Sequence, residues 1–151
     1  MTSPDDGIDA EHSVTICCQE NSSVSVKFGD RLSIDEDSTH YTVELRAPGL
    51  TARTNEIVAW TGENDLALFL EALASNYQGW DGERTWETND KDLSVSATFR
   101  SGGYIGLTWT LRPWPRAAGC WIASVTTWLE AGEQMASVGA DALRFFEAER
   151  P

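Results

Sequence analysis

Leu93-Ser94-Val95-Ser96-Ala97-Thr98-Phe99-Arg100-Ser101-Gly102-Gly103-Tyr104-Ile105-Gly106-Leu107-Thr108-Trp109-Thr110-Leu111 is the stretch that decides the fold class of this chain. Leu93, Val95, Ala97 and Phe99 alternate with Ser94, Ser96 and Thr98, and Ile105, Leu107, Trp109 and Leu111 alternate with Gly106, Thr108 and Thr110. Successive side chains of a strand point to opposite faces, so this period of two marks two half-buried strands. Between them, Ser101-Gly102-Gly103 supplies the positive φ that a tight hairpin turn needs, which makes the pair antiparallel. The apolar phase points to a core and the hydroxylated phase to water.

The same signature recurs toward the N-terminus. Val14-Thr15-Ile16-Cys17 alternates, as do Val24, Val26 and Phe28 against Ser25 and Lys27, with a hairpin through Glu20-Asn21-Ser22-Ser23. Tyr41, Val43 and Leu45 form a third strand that ends at Pro48-Gly49, and Ile57-Val58-Ala59-Trp60 a fourth. Past Thr61-Gly62-Glu63-Asn64-Asp65 the period changes to 3.6. Leu66, Phe69, Leu70, Leu73 and Tyr77 share one face of a helix over 64–77, capped near Asn64, with acids in its first turn and its end before Gln78-Gly79. Arg84 to Thr88 forms a short strand, Pro113-Trp114-Pro115-Arg116 breaks the return strand, and another strand runs from Cys120 to about Leu129. A last helix, from Ala131 to about Ala148, turns Met135, Val138, Ala142, Leu143 and Phe146 inward and holds Phe145 at the margin. Leu70, Leu107, Trp109, Trp121, Val125 and Leu143 are expected to pack together. Four strands, a helix, four strands and a helix, without βαβ alternation, predict an α+β fold: a mostly antiparallel sheet of about seven to eight strands with two amphipathic helices on one face.

The 151 residues suffice for one domain, and a hydrophobic fraction of 41% with seven Trp, three Tyr and five Phe supplies its core. Residues 1–12 carry Asp5, Asp6, Asp9 and Glu11 without apolar periodicity and read as a mobile acidic tail, leaving 13–151 as a single α+β domain. Twenty-four acidic residues against eleven basic ones give a net charge of −13, which repels nucleic acid. No apolar run is long enough to span a membrane, and the N-terminus has no secretory pattern, so a soluble, cytoplasmic protein is expected, as a monomer or small homo-oligomer. Three cysteines, two of them the adjacent Cys17 and Cys18, fit buried free thiols better than a disulfide framework or a metal motif.

No constellation for covalent or metal chemistry emerges from these residues. The two histidines, His12 and His40, lie in the tail and before a strand, and neither completes a nucleophile–base pair. No cofactor is expected and no metal site, since there is no paired-histidine or CxxC spacing and Asp35-Glu36-Asp37 lacks the glycine and closing glutamate of a calcium loop. The candidate contact surface is a protein-binding one: Asp35, Glu36 and Asp37, together with Trp80, Asp81, Glu83 and Trp86, where large aromatics beside acids resemble interface hot spots. The first reading is a non-enzymatic binding domain for a basic protein such as a toxin domain. The alternative is a small-ligand-binding or hydrolytic enzyme whose pocket is lined by those tryptophans and carboxylates.

Phe69-Leu70-Glu71-Ala72-Leu73-Ala74, Gly79-Trp80-Asp81-Gly82, Thr85-Trp86, Leu93-Ser94-Val95-Ser96-Ala97-Thr98, Gly106-Leu107-Thr108 and Leu129-Glu130-Ala131-Gly132-Glu133-Gln134 resemble a family of small bacterial proteins of unknown function, over residues 40 to 147. The layout of strands, helix, hairpin and closing helix also resembles the immunity proteins encoded beside contact-dependent, cell-wall-associated toxins. The resemblance implies an immunity-like role and brings no catalytic residue with it.

Overall fold

A computed structural model describes residues 13–33, 36–60 and 66–147. The tail at 1–12, Asp35 and the helix cap near Asn64 lie outside the described residues. Within them the chain has the α+β fold expected: strands β1 (Val14–Cys17), β2 (Ser25–Ser33), β3 (Ser38–Ala47) and β4 (Leu50–Trp60), helix α1 (Leu66–Ser75), strands β5 (Glu83–Glu87), β6 (Leu93–Arg100), β7 (Tyr104–Leu111) and β8 (Ala123–Glu130), and helix α2 (Glu133–Glu147). The eight strands divide into two four-stranded antiparallel sheets, ordered β1-β2-β3-β4 and β5-β6-β7-β8. Each sheet is a meander, in which every strand pairs with its neighbour in sequence.

Register explains the alternation. In the second sheet Trp86, Val95, Trp109 and Val125 lie side by side across the four strands, with Arg84, Ala97, Leu107 and Thr127 in the next inward row. The opposite face carries Thr85, Ser96, Thr108 and Thr126 in register, and the hydroxyls of Thr108 and Thr126 hydrogen-bond at 2.8 Å, as do those of Thr110 and Ser124. In the first sheet Val14, Phe28, Val43 and Thr54 form one inward row, and Ile16, Val26, Leu45 and Ala52 another. The two sheets share one core, because the Phe28 ring meets Trp109 edge-on with centroids 5.7 Å apart. The backbone joins them too: Gln19 N–H donates to Trp128 O at 2.8 Å, and Trp128 N–H points at the Cys18 sulfur at 3.3 Å. Cys18 is therefore a buried, packed thiol, while Cys17 faces solvent.

The helices close this core. α1 buries Leu66, Ala67, Leu70 and Leu73, and α2 buries Met135, Gly139, Ala142 and Phe145. Gly139 lets the helices approach closely, since a Cβ there would stand 3.2 Å from Glu71 Cγ and 3.5 Å from its Cα. Gln134 reaches back to accept the Glu130 backbone N–H at 2.7 Å, Glu133 occupies the first turn of α2 and Arg144 its last, which matches the helix dipole at both ends.

Several local expectations change. α1 ends at Ser75, closed by Asn76 N–H to Leu73 O and Gly79 N–H to Asn76 O, so Tyr77 leaves the apolar stripe and is 60% exposed. The start of the helix expected at 64–65, with its acid, lies outside the described residues. β8 starts at Ala123, leaving Cys120 and Trp121 in the preceding loop. Trp121 and Leu143 sit half-buried at the border of the core, and Phe145 is buried. β4 is longer than the four residues expected, pairing with β3 from Leu50 to Trp60, and two β-bulges reset the alternation of the first sheet. Opposite β3, which runs unbroken, β2 inserts an extra residue between Gly29 and Leu32, and β4 inserts one between Thr54 and Ile57. Asp30 (φ 49°) and Glu56 (φ 65°) hold left-handed conformations at these insertions. An arginine brace spans the two bulged strands: Arg53 of β4 pairs with Asp30 at 3.1 Å and bonds Asn55 at 3.1 Å.

Candidate functional site

The corner leading from α1 into β5 contains four of the expected contact residues. Gly79 (φ +106°) starts it in a conformation that favours glycine, and a Cβ there would stand 2.8 Å from the Phe99 ring. Trp80 lies edge-on to Phe99 with centroids 5.4 Å apart, and the Arg84 guanidinium covers its face at 4.6 Å. Its indole Nε1 is enclosed with no hydrogen-bond acceptor among the described residues. Trp86 enters β5 opposite Val95 and packs against the core. Both tryptophans are half-buried, whereas Asp81, Glu83 and Glu87 are exposed.

Strand alternation then separates the aromatic groups from the acids. Arg84 and Trp86 face inward, while Glu83, Thr85 and Glu87 face outward, and Glu83 accepts a hydrogen bond from the Ser96 hydroxyl on that outer face. The indole of Trp86 and the carboxylates of Glu83 and Glu87 therefore occupy opposite sides of one sheet and do not line a common cleft. The basic residue is turned in and the acids out. β5 is an edge of its sheet, so these carboxylates also stand where another protein could approach.

The acidic turn lies in the first sheet, between β2 and β3. Glu36 and Asp37 are exposed there, and Asp35 lies outside the described residues. His40 follows on the outer face of β3, paired in register with Leu32 on one side and Val58 on the other. Tyr41, on the inward phase, is fully buried, and burial pushes its hydroxyl far above the ordinary tyrosine value, with the charge of Asp92 adding to the shift. It stays protonated and acts as a core side chain, stacked on Phe28 and edge-on to Phe146.

Among the described residues no group of three or more His, Cys, Asp or Glu side chains is placed to hold a metal, and no helix is long and apolar enough to cross a membrane. Where α1 and α2 meet β1 and β2, a crevice of about 10 Å³ lined by Ile16, Phe28, Leu66, Leu70, Phe145 and neighbouring apolar residues is the size of one water molecule. It carries no polar group that could orient a substrate.

Sequence periodicity missed one surface. Trp60, on an apolar phase, is 43% exposed, and Leu32 is 59% exposed. The signal lay in the bulge residues, since Gly29-Asp30 and Asn55-Glu56 are the kinds of residues that interrupt a strand, but each sits inside an otherwise regular alternation.

No curated protein and no solved structure matches the chain. Residues 17–149 match a family of unknown function, DUF6228, from the middle of the first hairpin to the end of the last helix. With nearly the whole folded region covered, the chain belongs to this uncharacterised DUF6228 family.

Proposed function

We propose that this domain is a non-enzymatic, cytoplasmic protein-binding module whose partner presents a basic surface, and that its most specific form is an immunity-like inhibitor that covers a toxin. The observation that carries this reading is the sorting of charge from Asp81 to Glu87: Asp81 before β5, and Glu83 and Glu87 on its edge, face solvent and add to the field that draws a basic partner in, while Arg84 is folded back over Trp80. A surface arranged in this way, on a chain of net charge −13, attracts a basic partner over distances of about 10 Å and speeds its encounter. The immunity-like form rests on the resemblance of layout read from the sequence. The enzymatic alternative needs its tryptophans and carboxylates in one cleft, and β5 points them apart.

The test is co-purification with the product of a neighbouring gene, followed by stopped-flow association. Replacing Asp35, Glu36 and Asp37 together by their amides is expected to slow association about three- to tenfold at low salt and flatten its salt dependence, with melting temperature nearly unchanged. Identical kinetics for wild type and variant would remove this acidic turn from the interface.

A further inference from the structure

The two bulges of the first sheet have two effects: the one in β4 brings Ile57 into the core, and both turn a large apolar side chain outward. Before its bulge β2 turns even-numbered residues inward, and so does β4, as Val26, Phe28, Ala52 and Thr54 show. Unbroken alternation would bring Leu32, Val58 and Trp60 onto that same inward face. The inserted residues reverse the phase, so that Leu32, His40 and Val58 form a row on the outer face and Trp60 follows beside it, opposite Ser38. Leu32 is 59% and Trp60 43% exposed. Bulges re-aim side chains, and here both do so at matching positions, with non-glycine residues held at positive φ. The left-handed backbone at Asp30 and Glu56 thus leaves Leu32 and Trp60 facing solvent.

Charge says what covers them. Glu36 and Asp37 are exposed on the turn that ends this same row of strands, so the apolar group has an acidic border. From this we infer that the outer end of the first sheet, Leu32, His40, Val58 and Trp60 with Glu36 and Asp37, is the docking surface of the domain, and that it takes a protein segment presenting a large apolar side chain flanked by Lys or Arg. Trp60 is the anchor, because a rigid indole loses little freedom on contact and buries much area. The acids position the basic flanks and favour this partner over a neutral one. The inference rests on the protein-binding reading and names its site.

Selection of displayed random peptides against the full chain tests both. The expected binders carry Lys or Arg next to a large apolar residue and lose affinity about tenfold or more on Trp60→Ser and on Leu32→Ser. Because both side chains are exposed, each variant should melt close to wild type, and a weaker binder to a folded Leu32→Ser chain is expected even where Trp60→Ser is destabilised. Binders unaffected by Leu32→Ser, Trp60→Ser and Glu36→Lys, but weakened by charge reversal at Glu83 and Glu87, would overturn this site and leave the protein-binding reading standing. Absence of any selectable binder overturns both. Sedimentation showing a dimer that Trp60→Ser dissolves would identify a second copy as the occupant and overturn the basic partner.

Discussion

Trp109→Ala is expected to lower stability by about 3–5 kcal/mol, a large share of the roughly 5–15 kcal/mol available to a domain of this size. Trp109 is fully buried at the centre of β7, in one inward row with Trp86, Val95 and Val125, and its ring meets Phe28 from the other sheet. It is thus one of the side chains through which the two sheets share a core, and its loss leaves a cavity bounded by both. Its indole N–H donates to Thr127 Oγ1 at 3.1 Å, and Thr127 is itself fully buried. Trp109→Phe keeps an aromatic ring but strands that hydroxyl's acceptor site, so an intermediate loss of about 1–3 kcal/mol is expected. Urea midpoints should fall in the order wild type, Phe, Ala. Equal midpoints for all three would mean that the sheets do not pack through this residue.

Leu70→Ala ranks second, at about 2–5 kcal/mol. Leu70 is fully buried on α1 and already lines the small apolar crevice against β1 and β2. Truncation enlarges a space that has no polar group to hold water, so the new volume stays empty and costs its full dispersion loss. Leu70→Met, which preserves volume, should recover most of the stability. A midpoint unmoved by Leu70→Ala would show that α1 does not cover the core.

Where one strand face is apolar and the other hydroxylated, as in β6 and β7, strand, hairpin and burial were all readable from residue order. The inward phase of Trp109 and Leu107 followed directly from period two. β4 was half hidden for a physical reason: its inward residues Ala52 and Thr54 are small or polar, and the bulge at Glu56 puts Ile57 out of phase with them. A phase reversal of this kind leaves no trace in a count of alternating residues, so the sequence places Trp60 at the end of an apolar strand while the sheet turns it outward. The division into two sheets depends on which edges remain unpaired, a long-range property that local patterns do not carry. In β5, by contrast, the separation of Glu83 and Glu87 from Trp86 was implicit in the sequence, because residues one apart on a strand cannot share a face. The acids and the indoles were adjacent in sequence and were grouped on that ground; the pleat divides them.

The central claim is that this domain binds a basic protein partner, and does so through the outer end of its first sheet. Amide hydrogen exchange of the full chain, alone and in complex with the protein that co-purifies with it, tests that claim most directly. The account predicts new protection in Ser38–Tyr41 and Ile57–Trp60, with the amides of Trp80 to Glu87 exchanging as they do in the free chain. Protection confined to Trp80–Glu87, with Ser38–Tyr41 and Ile57–Trp60 unchanged, would contradict it.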